Sequence, residues 1–173
     1  FSYGDVLGAG SGWAQSILSH PPTRNAFAEF FARSDRFMLG VCNGCQMLAL
    51  LRELIPGAGH WPRFLRNRSE QFEARLSLVE ILDSPSVLLA GMKGSLLPVA
   101  VAHGEGRAVF ADDADQQYCV QQRLVAFRHS DARGNAARQY PANPNGTPAG
   151  IAALTTPDGR VTIMMPQIGR ASC

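Results

Sequence analysis

Two segments near the start of the chain, 12–20 (GWAQSILSH) and 25–34 (NAFAEFFARS), carry apolar residues at helical spacing, and Pro21 and Pro22 separate them. An almost unbroken apolar run at 36–41 (RFMLGV) predicts a short buried strand. A helix over 45–54 (CQMLALLREL) follows and is ended by Pro56-Gly57. Strand, glycine turn and helix in succession predict a βα unit. From Arg63 to Arg107 the period shortens: 73–82 (EARLSLVEIL) roughly alternates, and 98–106 (PVAVAHGEG) runs from a strand into a glycine-rich loop. Residues 124–129 (LVAFRH) read as another strand, and 150–166 as a hairpin with Pro157-Asp158-Gly159 at its tip. The stretch YPANPNGTPAG, 140–150, reads as a rigid, ordered loop because of its prolines and glycines. The pattern predicts an α/β fold in three layers: a mainly parallel sheet with helices on both faces.

The chain has 173 residues, 46% hydrophobic, enough for one domain with a sizeable core. A charged fraction of 17% and a net charge of +2 argue against a nucleic-acid groove or a membrane surface. The apolar runs are too short for a membrane span, and no basic-then-apolar leader opens the chain. Four cysteines do not make a disulfide framework at this length; a reducing, cytoplasmic setting is expected. Phe1 opens inside a glycine-rich loop and Cys173 closely follows an apolar strand, so the fold is expected to be truncated at both ends.

Chemistry concentrates at Gly40-Val41-Cys42-Asn43-Gly44. A nucleophile at a strand-to-helix turn needs a strained backbone to project its side chain, and small residues two places either side let strand and helix approach. Gly40 and Gly44 frame Cys42 in this way. The helix N-terminus then favours a thiolate at Cys42, and the backbone N–H of Asn43 faces the oxyanion formed on attack. Cys45 lies one turn into the helix and reads as core. The Cys42-x-x-Cys45 spacing also occurs in thioredoxin-like redox pairs, and two buried cysteines in a tight turn are a further alternative. Zinc would need more ligands at short spacing than the distant Cys119 and Cys173 provide, so no metal site is expected.

The segment GVCNGCQ resembles the nucleophile region of the class I glutamine amidotransferases, in particular the glutaminase domains of the phosphoribosylformylglycinamidine synthases. The resemblance extends through FSYGDVLGAGSGWAQSIL, LRELIPGA, WPRFLRNRSEQFEARLSLVEI, AHGEGR, YPANPNGTPAGIAALTT and GRVTIMMP, in that order, from Phe1 to Pro166. It implies a flavodoxin-like fold and hydrolysis of glutamine through a glutamyl thioester on Cys42. The ammonia would pass to a synthetase portion of the same parent chain, where ATP and magnesium serve the conversion of formylglycinamide ribonucleotide to its amidine in purine synthesis. No cofactor belongs to the glutaminase portion itself. By position, the resemblance makes Asn43 an oxyanion donor, Gln46 a substrate-binding residue and His103 a residue bordering the pocket, and it turns the 140–146 loop toward the synthetase portion.

The pattern breaks after Pro166. The family continues with His-Pro-Glu, the base and the residue that orients it, whereas this chain has Gln167-Ile168-Gly169. An amide exchanges no proton near neutral pH, and glycine has no side chain to offer. The paired glycines that complete the family's oxyanion hole would precede Phe1. The expected organisation is therefore a partial amidotransferase domain over 1–166 and a divergent tail over 167–173. That chain is either part of an enzyme with little turnover alone, or a degenerate module that binds glutamine or a partner.

Overall fold

The computed structural model describes residues 8–167. Its helices are α1 (Ala9–Ser19), α2 (Pro21–Ala32), α3 (Asn43–Leu50) and α4 (Asp113–Gln121). Its strands are β1 (Met38–Val41), β2 (Arg63–Leu65), β3 (Glu73–Ile81), β4 (Leu96–His103), β5 (Arg107–Val109), β6 (Val125–His129), β7 (Ile151–Thr155) and β8 (Val161–Met164). The expected elements are present, with two changes of boundary. Pro21 and Pro22 begin α2 rather than separating it from α1, because proline's fixed φ and missing N–H suit the first helical turn. The helix after the elbow starts at Asn43 and tightens into a 3-10 turn at Arg52–Leu54.

Among the described residues one sheet runs β1-β8-β7-β6-β3-β4, and β2 pairs with β5 in a small ribbon. The α/β class holds, but the expected mainly parallel sheet is corrected to a mixed one. β1 and β8 are parallel, while the β8–β7, β7–β6, β6–β3 and β3–β4 pairs are antiparallel. The reason is local. Only the βα unit at 38–50 carries a parallel signature, and the tight 155–161 turn can join only antiparallel strands.

Among the described residues two apolar clusters form the core. The larger takes in residues from all four helices, including Ala14, Phe31, Cys45, Leu48 and Cys119, with Ile163 and Leu154 from the sheet. The smaller joins Val79, Ile81, Phe127 and Ala153 under Leu89 and Met92, and none of its members lies on an α-helix. The expected third layer of helix is thus not among the described residues.

β3 faces the opposite way from its polarity. Glu73 and Ser77 are buried while Leu76 is 69% exposed. The polar face is the one covered by the 140–147 loop: Ser77 Oγ bonds His129 Nδ1 at 2.9 Å and Ala142 O at 3.4 Å, and Arg75 stacks 4.5 Å from the Tyr140 ring centre.

Candidate active site

Parallel pairing of β1 with β8 sets Val41 opposite Met164, so both strands deliver their next residues to the same end of the sheet. Cys42 is the first residue past β1. Its N–H donates to Met164 O at 2.9 Å, and its carbonyl accepts the first helical bond from Gln46 N at 3.1 Å. Between those bonds the backbone takes φ 54, ψ −112, a strained positive-φ conformation for a residue with a side chain. Cys42 is 8% exposed and Cys45 is completely buried. Burial, and then the nearby charge of Cys42, push the Cys45 thiol well above its ordinary pKa. Both are buried thiols, against the expectation of an exposed sulfur on the bend, and of the two residues only Cys42 keeps any exposed surface.

The two framing glycines have different jobs. A Cβ on Gly40 would lie 2.6 Å from Leu48 Cδ1 and 2.8 Å from Gly44 O, so strand and helix touch backbone to side chain here. A Cβ on Gly44 would meet nothing within 4 Å. Among the described residues the steric demand thus falls on Gly40 rather than on Gly44. Gly10 makes the matching contact from α1, where a Cβ would come within 2.5 Å of Gln46 Cβ and 2.8 Å of Asn43 O.

Asn43 opens α3, where the first N–H groups have no intrahelical acceptor. Gln46, one turn on, is 6% exposed. Its Nε2 donates to Glu105 O at 3.1 Å and to Glu105 Oε2 at 3.3 Å. Glu105 Oε2 also accepts the N–H of Gly8, the cap residue of α1, at 2.9 Å. Asn43 Nδ2 and Gln46 Oε1 are buried without a hydrogen-bond partner among the described residues.

His103 begins the loop that carries Glu105. Its Nε2 bonds Asn145 Oδ1 at 3.1 Å, and burial lowers its pKa to about 4 against the opposing effects of that bond and of Glu73. The ring is held neutral and tied to the 140–147 loop. Asn67 fixes the 103–106 loop: Nδ2 donates to His103 O at 2.8 Å and Oδ1 accepts Gly106 N at 2.9 Å. A Cβ on Gly106 would fall 2.2 Å from His103 Nε2, which leaves no room for a side chain. Within the 140–147 loop Asn143 and Asn145 are buried, bracing the fold, while Tyr140 is 59% exposed.

Gln167 pairs with Ala100 of β4, N to O at 2.8 Å and O to N at 3.3 Å. Gly169 lies outside the described residues. Reasoning from the sequence missed Glu105 and Asn67. The only available signal was the close glycine spacing around Glu105 in HGEG, which marks a constrained loop but names no partner. Among the described residues no group of three or more His, Cys, Asp or Glu side chains could hold a metal, and no helix is long and apolar enough to cross a membrane.

These features define the class: an α/β domain that carries a cysteine on a strand-to-helix elbow. The chain belongs to the CobB/CobQ-like glutamine amidotransferase domain family, which matches residues 1–172. Its fold is similar to that of a solved structure, PurLQS from Thermotoga maritima, with a TM-score of 0.58 and 24% sequence identity. That match covers 96% of this chain and 64% of the other.

Proposed function

We propose that this chain is the glutaminase portion of a phosphoribosylformylglycinamidine synthase, with Cys42 as its nucleophile. The single observation that carries the reading is the strained φ of 54 at Cys42, on a bend whose approach only glycine at position 40 allows. Strain of this kind costs about 1–3 kcal/mol and persists where it aims a group. The thiolate would attack the glutamine amide carbon, with the Asn43 N–H among the donors to the oxyanion. Collapse expels ammonia and leaves a thioester, and water then releases glutamate. The ammonia would serve the ATP-dependent step in the synthetase portion of the parent protein, which is also the intended docking partner.

The thiol proton must go to a base, and the leaving amide nitrogen must receive one. Gln167 can do neither. The chain by itself is therefore proposed to bind glutamine and to acylate poorly, and the amide in place of a base at position 167 is what favours a non-catalytic binding module as the second reading.

A chloroketone shaped like glutamine tests the nucleophile, because alkylation needs the sulfur but no turnover. A single adduct mapped to Cys42, suppressed by excess glutamine and absent in Cys42→Ala, is expected; an adduct on Cys45 instead would refute the reading. Glutaminase activity that rises in the double variant Gln167→His, Gly169→Glu marks an impaired enzyme. No rise, with glutamine still bound, marks the module.

A further inference from the structure

The 140–147 loop and the segment leading into β3 enclose a cleft of about 520 Å³, a size that holds a small molecule. Arg68, Gln71 and Glu73 line it from one segment, and Arg138, Tyr140 and Gly146 from the other. Its electrostatics are one-sided. Glu73 is the only carboxylate among the lining residues, and it is buried and already satisfied: Ser69 Oγ donates to Oε1 at 2.7 Å, and Arg75 lies 3.0 Å from Oε2. Arg68 and Arg138 are exposed, and among the described residues neither has an ion-pair partner. One such arginine is ordinary surface. Two that line the same cleft, beside a carboxylate whose charge is spent, concentrate an anion there.

The cleft is also held in a fixed shape. Arg68 N donates to Asn145 O at 3.1 Å, and a Cβ on Gly146 would fall 2.7 Å from Arg68 Cβ, so the stem of Arg68 is packed on the loop backbone. Asn143 ties the loop to itself, with Nδ2 donating to Ala137 O and Thr147 O and Oδ1 accepting from Gly146 N and Thr147 N. Planar guanidinium forks match the oxygens of a phosphate. The volume exceeds what a bare phosphate fills, and Tyr140 offers a surface for the remainder: Arg75 lies 4.5 Å from its ring centre on one face, and the residue is 59% exposed. We infer that this cleft binds the phosphate monoester of a small ring-bearing molecule, a nucleoside monophosphate in its simplest form, with Arg68 and Arg138 on the phosphate and Tyr140 on the ring. Neither Cys42 nor Glu105 lines the cleft, and the assignment does not depend on the chemistry at Cys42.

Calorimetric titration of the chain with AMP, ribose 5-phosphate, inorganic phosphate and adenosine tests it. AMP is expected to bind most tightly, the two smaller phosphates more weakly, and adenosine not at all. R68Q and R138Q keep much of each stem, so the melting temperature of the ligand-free chain should stay where it is. Each should weaken AMP by about 10-fold or more, the scale of a charge-assisted hydrogen bond. R138K should recover little of that loss, because an ammonium cannot present two parallel N–H donors. No binding of AMP at millimolar concentration overturns the assignment, as does AMP that binds no more tightly than inorganic phosphate or adenosine. AMP binding that survives both arginine changes places the nucleotide elsewhere and overturns it as well. An oligoglutamate peptide that binds more tightly than AMP, and is lost in the same variants, would make the cleft a landing surface for an acidic protein segment instead.

Discussion

The elbow at 38–50 and the clamp around Glu105 stand side by side, yet they are built in opposite ways. The elbow is local: a strand, a cysteine at φ 54 and a helix, closed by contacts such as Gly40 against Gly44 and Leu48. The clamp is assembled from side chains distant in sequence, 36 residues apart for Asn67 and His103, 59 for Gln46 and Glu105, and 97 for Gly8 and Glu105. Covalent neighbours dictate where the sulfur points. Tertiary folding dictates what surrounds it. Damage to the clamp should therefore loosen the polar surroundings of Gln46 while leaving the bend itself largely in place.

The two regions should separate most widely with pH. His103 and His129 sit on the clamp side, both buried, the one bonded to Asn145 and the other to Ser77. Burial lowers His103 to about 4; burial, with repulsion from His103, lowers His129 to about 3. Since unfolded histidine titrates near 6.5, the denatured chain takes up protons first as pH falls. The stability these rings contribute is complete above pH 6.5 and is lost as pH drops toward 4 and then 3. The limiting slope is about 1.4 kcal/mol per pH unit for each ring. Asp83, Asp131 and Asp158, whose pKa values are lowered, lose their contributions only below the ordinary 3.8, so the window from pH 6.5 to 4.5 isolates the histidines. Urea unfolding across that window should show the slope about halved in His129→Gln and unchanged in Gly40→Ala. A slope indifferent to both histidines would break the comparison.

Next in size is Asn67→Ala. It removes the partners of His103 O and Gly106 N, two buried backbone groups, and each such orphan costs about 1–3 kcal/mol. A loss of about 2–4 kcal/mol is expected from denaturant melts, with the affinity for glutamine falling further than stability alone requires. A loss below about 1 kcal/mol would mean that water replaces the amide and that the loop does not depend on it.

Legibility in the sequence divides along the same line. The elbow is legible because everything it needs lies within Gly40–Gly44, and the hairpin ending in Met164 because Pro157-Asp158-Gly159 is a local turn signal. α4 is not: DADQQYCVQ carries almost no apolar stripe, although Asp112 does cap it by accepting Asp115 N at 2.8 Å. The three-residue strands β2 and β5 are too short to show a period. β3 is recognisable as a strand, but its facing cannot be read, because its polar side is covered by the 140–147 loop, more than sixty residues on. The polar clamp shares that fate, since an isolated Asn67 or Glu105 announces nothing until folding supplies its partner.

The smallest expected effects lie within the elbow, where they test whether its two glycines are equivalent. Gly40→Ala forces a methyl to 2.6 Å from Leu48 Cδ1, inside a fully buried cluster, and to 2.8 Å from a backbone oxygen that cannot move without shifting α3. Such overpacking costs about 1–3 kcal/mol. Gly44→Ala meets no atom within 4 Å and replaces glycine by alanine within a helix, which by itself favours the fold by about 0.5–1 kcal/mol. Thermal melts should therefore move in opposite directions, downward for the first and flat or upward for the second. If the open space at Gly44 is where the amide must pass to reach Cys42, the chloroketone should label Gly44→Ala more slowly even though that variant is no less stable. Equal destabilisation by both changes would mean that strand and helix lean on the two residues alike, and the bend would then owe its shape to a matched pair rather than to Gly40.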